Sequence, residues 1–206
     1  GVLIKNTDDW TNNYASGGQA GNATFVAREA GTDGNNLQVS TCPNAAAYEE
    51  EGATTVNDAS TAVGDTVVVT TSGAALNVGD IVSFSTTAAT NDYDDGEQYR
   101  ITNISTNDIT IVQHPRGTGG LKRALTDGSN IRRRWKYYDA VDGAPGTSTY
   151  VSERNGANDE IHVVVIDEDG GISGVPGTIL ETFSKLSKAS DAKDPQGNDN
   201  YYPNVI

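Results

Sequence analysis

The sequence predicts a mainly β fold with minor α content (α+β), in which a host domain with a β-hairpin is interrupted by a small antiparallel β-barrel or sandwich insertion. Three observations predict it. Short β-branched runs recur between clusters of turn-forming residues, with 23 glycines in 206 residues. The composition shifts near Thr54, and from there to Gln113 Arg100 is the only basic residue while strand signals crowd together. Finally, Asn158–Ala192 holds the longest apolar run, Ile161–Ile166, followed by a glycine-rich turn.

Taken in order, Val2–Lys5 reads as a short strand, and Thr7-Asp8-Asp9 as the cap of a brief helix carrying Trp10 and Tyr14. Ala23–Arg28 reads as an extended segment. After the loop Gly31–Asn36, Leu37, Val39 and Thr41 line one face of a strand, and Ala45–Glu51 is expected to be a short helix at most. Strands are then expected at Thr66–Thr70, Ile81–Ser85, Tyr99–Ile104 and Ile109–Gln113, the last two joined by the hairpin-length turn Ser105–Asp108. Val63-Gly64-Asp65 and Val78-Gly79-Asp80 repeat one turn-into-strand phrase. The host domain is expected to be discontinuous, 1–53 and 115–206, with 54–114 as the insert. A long excursion from one continuous sheet is the alternative.

Beyond Gly117–Gly120, Ile131–Tyr138 alternates Ile131, Arg133, Trp135 and Tyr137 against Arg132, Arg134, Lys136 and Tyr138, as a strand with long polar side chains on one face would. Ala144–Ser148 is a turn and Thr149–Ser152 a short extended piece. In Ile161–Ile166 both faces are apolar apart from His162, so this strand is expected to be buried on both sides. Asp167–Gly171 is a turn. Thr178–Leu186 is ambiguous: Thr178 with Glu181 resembles a capping box, and Ile179, Leu180, Phe183 and Leu186 fit a helical face. Periodicity alone mildly favours the helix.

The single cysteine, Cys42, cannot form an internal disulfide and reads as a buried small hydrophobe. No apolar stretch approaches the ~20 residues of a membrane helix, and Gly1–Trp10 lacks the pattern of a signal peptide. The absence of Met and the apolar ending at Ile206 lead us to expect a piece of a longer protein. A net charge of −14 argues against nucleic acid as the main partner. The charge is uneven, because seven of the 14 basic residues lie between Arg116 and Lys136, with Asp127 the only acid among them. Such a basic band on an acidic object suits contact between copies of one protein, and Arg132, Arg133, Arg134 and Lys136 are the candidate inter-subunit residues.

Motifs of chemistry fail on inspection. An EF-hand beginning at Asp167 would need Gly and Glu where Ile172 and Thr178 stand, and one beginning at Asp92 ends on Asn103. Solvated turns are the better reading of the acidic loops, with an irregular carboxylate–carbonyl site as the alternative. His114 and His162 have no partner at metal-ligand spacing, and His162 reads as a packed residue. Ser148 lacks the second glycine of a nucleophile elbow, and Gly117–Lys122 has the spacing of neither a dinucleotide loop nor a P-loop. The triple arginine beside Trp135 and Tyr137 has the makings of a nucleic-acid stacking surface, but the charge balance favours an interface. No catalytic residue, cofactor or metal ligand is expected.

Asp159–Gly170, Gly177–Phe183 and Leu186–Ala192 together resemble the tail sheath protein of large contractile-tailed (myovirus-type) bacteriophages. Tyr201-Tyr202 with Asn204–Ile206, Phe25–Gly31 with Gly34–Val39, and Ala144–Ser148 extend the likeness. These segments cover about half the chain, and residues 54–114 carry none of it. The resemblance implies that Thr178–Ser187 is the second strand of a hairpin, against its periodicity. It also implies a structural subunit that stacks around a tail tube and rearranges from an extended to a contracted state, driving the tube through the host envelope without consuming nucleotide. Its partners would be other copies of the sheath protein, the tail tube protein, and baseplate and tail terminator proteins, with no nucleic acid and no membrane. It would be assembled in the host cytoplasm and reside in the virion. Two other readings stand beside it: a β-rich phage or bacterial adhesion module that recognises sugar through Trp and Tyr, and a glycosidase, for which no acid has a recognisable setting.

Overall fold

β-Branched runs and glycine–aspartate turns lay out nine strands among the described residues, grouped into two antiparallel sheets. They are β1 (Leu37–Cys42), β2 (Glu49–Thr55), β3 (Val67–Val69), β4 (Ile81–Ala88), β5 (Gln98–Ser105), β6 (Asp108–His114), β7 (Ser129–Arg134), β8 (Glu160–Asp167) and β9 (Thr178–Ser187). Short helices α1 (Ala45–Tyr48), α2 (Thr149–Ser152) and α3 (Tyr202–Val205) join them, so the fold is mainly β. The computed structural model describes residues 33–206 and, before them, Asp8, Thr11, Asn12, Phe25 and Ala27. Apart from those five residues, the strand expected at Val2–Lys5, the helix after Thr7 and the extended segment Ala23–Arg28 lie outside the described residues.

The larger sheet has six strands in the order β2-β7-β4-β5-β6-β3. It curls until its outer strands meet at one bridge, Val56 with Thr70, flanked by Asn57 N–H to Val69 O and Thr71 N–H to Thr55 O, both 2.9 Å. The inward side chains of the alternating strands make one core around Phe84 and Tyr99, whose rings lie 5.6 Å apart. The buried Tyr99 hydroxyl keeps a partner by accepting the Lys122 N–H at 2.9 Å. The repeated Val-Gly-Asp phrase turns out to be one turn used twice. Gly64 and Gly79 have φ of 94° and 96°, a region closed to most side chains. In each copy the aspartate reaches back to a main-chain N–H, Asp65 to Ala62 at 2.7 Å and Asp80 to Asn77 at 2.8 Å.

This sheet runs from Glu49 to Arg134, so its boundaries lie outside the expected 54–114. The strand that sequence reasoning missed is β2, where Ala45–Glu51 read as helix. Only Ala45–Tyr48 is helical, capped by the Asn44 side chain on Ala47 N–H at 2.8 Å. The acidic run then pairs with β7, Glu49 opposite Arg134 and Glu50 opposite Arg133. Opposite charges across the ladder stabilise a strand that composition alone disfavours. Two further expectations are corrected. The strand at Ile131–Tyr138 ends at Arg134 and gives way to a short 3-10 turn at Tyr138–Ala140, and Thr149–Ser152 is helical because the Ser148 hydroxyl caps Val151 N–H at 3.3 Å.

The smaller sheet has the order β1-β8-β9. β8 is central and apolar on both faces, as expected. Val164 and Ile166 pack with Cys42 against Trp135 and Tyr137, while Ile161 and Val163 pack with Leu186 against Phe25 and Tyr202. β9 is a strand over Thr178–Ser187, paired antiparallel to β8. Helical periodicity loses here because the buried main chain of β8 needs a partner along both edges. The register shifts between Ile161 and Val163 and again between Val165 and Ile166. Beyond Asp167 the chain does not turn within Gly171 but makes a longer loop that reaches β9 only at Thr178.

Candidate functional site

Three of the segments that carry the resemblance meet at one carboxylate. Asp159 lies just before β8 and is buried. Its Oδ1 accepts the Ser148 N–H and its Oδ2 the Ser148 hydroxyl, each at 2.8 Å, and Oδ2 also accepts the Ser187 hydroxyl at the end of β9. Its main-chain oxygen accepts Lys188 N–H at 2.8 Å. Burial raises the pKa of Asp159, but the hydrogen bonds from Ser187 and Ser148 outweigh it and hold the group below its ordinary value of 3.8. The arrangement joins Ala144–Ser148, the start of β8 and the end of β9, and serves as a clasp.

Asp167 at the other end of β8 does the same for the hairpin loop. Its Oδ2 accepts Ile172 N–H at 3.0 Å, Ser173 N–H at 2.6 Å and the Ser173 hydroxyl at 2.7 Å. Desolvation raises its pKa and these donors more than cancel it, leaving the carboxylate below the usual range. The acid that opens the failed EF-hand pattern is thus buried and held through Oδ2 by its own loop, where sequence led us to expect a solvated turn. Among the described residues no three His, Cys, Asp or Glu side chains gather as a metal site, and no helix is long and apolar enough to cross a membrane.

The arginine triplet is the largest departure from expectation. Arg132 and Arg133 are buried and Arg134 is half-buried; only Lys136 is exposed. Arg132 pairs with Asp95 and stacks 4.6 Å over Tyr93. Arg133 donates to the carbonyls of Ala46 at 2.6 Å and Ala47 at 3.2 Å, and its guanidinium lies 3.8 Å from Asp80 and 3.4 Å from Glu50. Arg134 pairs with Glu49 and, at 3.4 Å, with Asp95, 5.1 Å over Tyr138. The expected free cationic face is therefore spent inside the chain, binding β7 to β2 and to the loop before β5. Sequence alternation missed this because the pairing strand β2 was unrecognised.

Among the described residues an open cleft lies between the two sheets. With a volume of about 370 Å³, it is lined by Gln38–Thr41 of β1, by Asn77, Val78 and Asp80, and by Arg133, Trp135, Lys136 and Tyr137. Consecutive residues of a strand point to alternate faces, so four in a row can line one cleft only where it runs along the strand's edge. Trp135 Nε1 donates to Ser40 Oγ at 3.0 Å and the Tyr137 hydroxyl to Gln38 Oε1 at 3.4 Å, bolting the sheets together beneath it. Lys136 stands exposed at the rim, 4.9 Å over the Tyr137 ring, beside Val78, which is 60% exposed.

His162 lies under the same junction, fully buried, with its ring stacked on Trp135 at 6.5 Å. Nδ1 accepts Lys185 N–H at 3.0 Å, so Nε2 carries the proton and donates to Gly143 O at 3.0 Å. A second proton has no acceptor, and burial first of all pushes the pKa below its ordinary value of 6.5. The neutral form is the folded form. Stability is therefore complete above pH 6.5 and falls as the pH drops from there towards the folded-state pKa, because the unfolded chain takes up the proton first. Urea unfolding at pH 7.0 and 5.0 should show His162→Gln losing less stability than the parent over that interval. Parallel curves for the two proteins would remove His162 from the acid response.

Compared with known proteins, the chain matches no family model, no curated protein and no solved structure.

Proposed function

We propose that this chain is part of a structural subunit of a contractile phage tail sheath, acting through contacts between copies and carrying no catalytic site. The observation that carries the reading is the Asp159 clasp. Ala144–Ser148, Asp159–Gly170 and Leu186–Ala192 resemble the sheath family separately in sequence, and hydrogen bonds from Ser148, Ser187 and Lys188 draw them to a single residue. Residues shared for a common structural reason ought to converge in this way. The partners would be further copies, the tail tube protein, and baseplate and tail terminator proteins, in the virion. Contraction would be a shift between two packings, driven by the better set of inter-subunit contacts. The sugar-binding alternative draws no support from Trp135, Tyr99 and Tyr137, which are buried.

Electron microscopy of the full-length protein tests the proposal. Tubes or stacked rings are the expected result. A monodisperse monomer under all conditions of salt and concentration would overturn it.

A further inference from the structure

β9 uses ten residues, Thr178–Ser187, to cover the eight of β8, Glu160–Asp167, although the ends are in register, Thr178 opposite Asp167 and Ser187 opposite Glu160. Two residues of β9 are therefore bulged out of the ladder. One bulge lies near Leu180, between the pairs Val165–Glu181 and Ile166–Ile179. The other lies opposite His162, where Ser184 and Lys185 fall between the pairs Val163–Phe183 and Ile161–Leu186. Lys185 has φ of 55°, a region that suits glycine and that is unfavourable for a residue with a side chain. The His162 ring holds it there. Lys185 N–H donates to His162 Nδ1 at 3.0 Å, and the far side of the ring is fixed by Nε2 donating to Gly143 O at 3.0 Å.

That pair of bonds admits one protonation state. With Nδ1 protonated, the ring and Lys185 present N–H donors to each other, and a buried donor without an acceptor is strongly unfavourable. Among the described residues two charged groups act on the ring: Glu160 of β8 favours the second proton and Lys185 of β9 opposes it. The other elements packed on it bring uncharged groups. These are the Cys42 thiol opposite it in β1, its pKa pushed up to about 11 by burial, the Tyr48 ring from α1 and the Trp135 ring after β7. β9 is the outer strand of its sheet, and Glu181, Thr182, Ser184 and Lys185 are exposed, so its second half can leave β8 without breaking another strand. We infer that His162 is an acid-released bolt on this bulge: a second proton on its ring frees Ser184–Ser187 from β8, and the bonds of Ser187 and Lys188 to Asp159 open with it, while the six-stranded sheet keeps its fold. Asp159 stays ionised through this change, because its pKa lies below 3.8. The six-stranded sheet has its own core around Phe84 and Tyr99, in which neither β8 nor β9 takes part. The movement lies within one copy and is independent of the proposed assembly.

Residue-resolved hydrogen exchange on the full chain at pH 7.0 and 5.0, corrected for the intrinsic pH dependence of exchange, tests the bolt. Opening that exposes a buried neutral histidine is favoured about tenfold per pH unit below 6.5, until the folded-state pKa is reached. Protection of the Lys185 and Ser187 amides is therefore expected to fall about tenfold at pH 5.0 relative to that of Ile101 and Ile111 in the larger sheet. His162→Gln keeps one acceptor and one donor but takes up no proton, and should abolish this difference. His114, at the end of β6, acts on the larger sheet and is present in both proteins. Equal loss in both sheets, no loss at Lys185, or the same difference in His162→Gln would each overturn the bolt. Nitrogen NMR of the parent gives a second reading that needs no substitution. The His162 ring should pass from the Nε2–H tautomer to the doubly protonated form with the same midpoint as the loss at Lys185, and a ring still neutral where that protection has gone would overturn it as well.

Discussion

Replacing Asp159 with alanine is expected to destabilise the chain by roughly 3 kcal/mol, since hydrogen bonds to a charged acceptor are worth about 1.5–3 kcal/mol and their buried donors would be stranded. The variant leaves the Ser148 N–H and the hydroxyls of Ser148 and Ser187 without their common acceptor. It also loosens the cap on α2, because the same Ser148 hydroxyl holds Val151 N–H. Asp159→Asn keeps one acceptor oxygen and should lose about half as much. The effect has a pH signature with a definite sign. Asp159 titrates below 3.8 in the folded chain, so its contribution is present above that pH and disappears as the pH falls through the folded-state value. Urea unfolding at pH 7 and at pH 3 should therefore show the two proteins converging in acid. If Asp159→Ala stays within 0.5 kcal/mol of the parent at pH 7, on the order of the background for neutral surface changes, the clasp has no structural weight.

Much of the fold was legible because it is written in periodicity and turn chemistry. β8, with both faces apolar, could only be a central strand, and its neighbours follow from that. The Val-Gly-Asp repeat announced two turns before two strands, and the structure returns the same turn geometry at both. β2 was not legible. Glu49-Glu50-Glu51 has poor strand propensity, and what makes it a strand is a row of arginines more than eighty residues later in the chain. A signal of that range has no local trace, although the matched runs of acid and base were visible as separate facts. β9 shows the opposite case: its local pattern favours a helix, the resemblance implied a strand over Thr178–Ser187, and the strand found there has its physical reason in the demand of β8 for a partner.

The site was less legible than the fold, for a related reason. Alternation along Ile131–Tyr138 places Arg132, Arg134 and Lys136 on one face and Arg133 on the other but cannot tell whether either face meets water, another copy or the protein itself. With β2 and the Tyr93–Asp95 loop in place the answer for Arg132, Arg133 and Arg134 is the protein itself, and of the four candidate residues Lys136 alone is exposed. The clasp, by contrast, leaves a faint trace in sequence. Asp159 and the serines after Pro145 and after Leu186 all fall within segments of the resemblance, but nothing in their spacing says that they touch.

The internal pairing changes what mutation of the basic band will do. From sequence, alanine at Arg132, Arg133 and Arg134 is expected to weaken assembly and spare the monomer; from the structure, Arg133→Ala alone is expected to destabilise the monomer by roughly 3–5 kcal/mol, the usual cost of stranding a buried charge. Its guanidinium satisfies the carbonyls of Ala46 and Ala47 and faces Asp80, which is only 4% exposed. Burial already raises the pKa of Asp80, against the opposing pull of the Asn77 N–H and Arg133. Removing the arginine takes away part of that pull, and the carboxyl rises further. A carboxyl with a raised folded-state pKa favours the fold in acid and loses that contribution as the pH climbs through it, so the deficit of Arg133→Ala should be largest at pH 7 and shrink towards pH 4. Adding Asp80→Asn should recover part of the loss at pH 7 and little at pH 4, a coupling that a double-mutant cycle in urea measures directly. A single variant as stable as the parent at pH 7, with normal assembly lost, would return Arg133 to the surface role that its sequence first suggested.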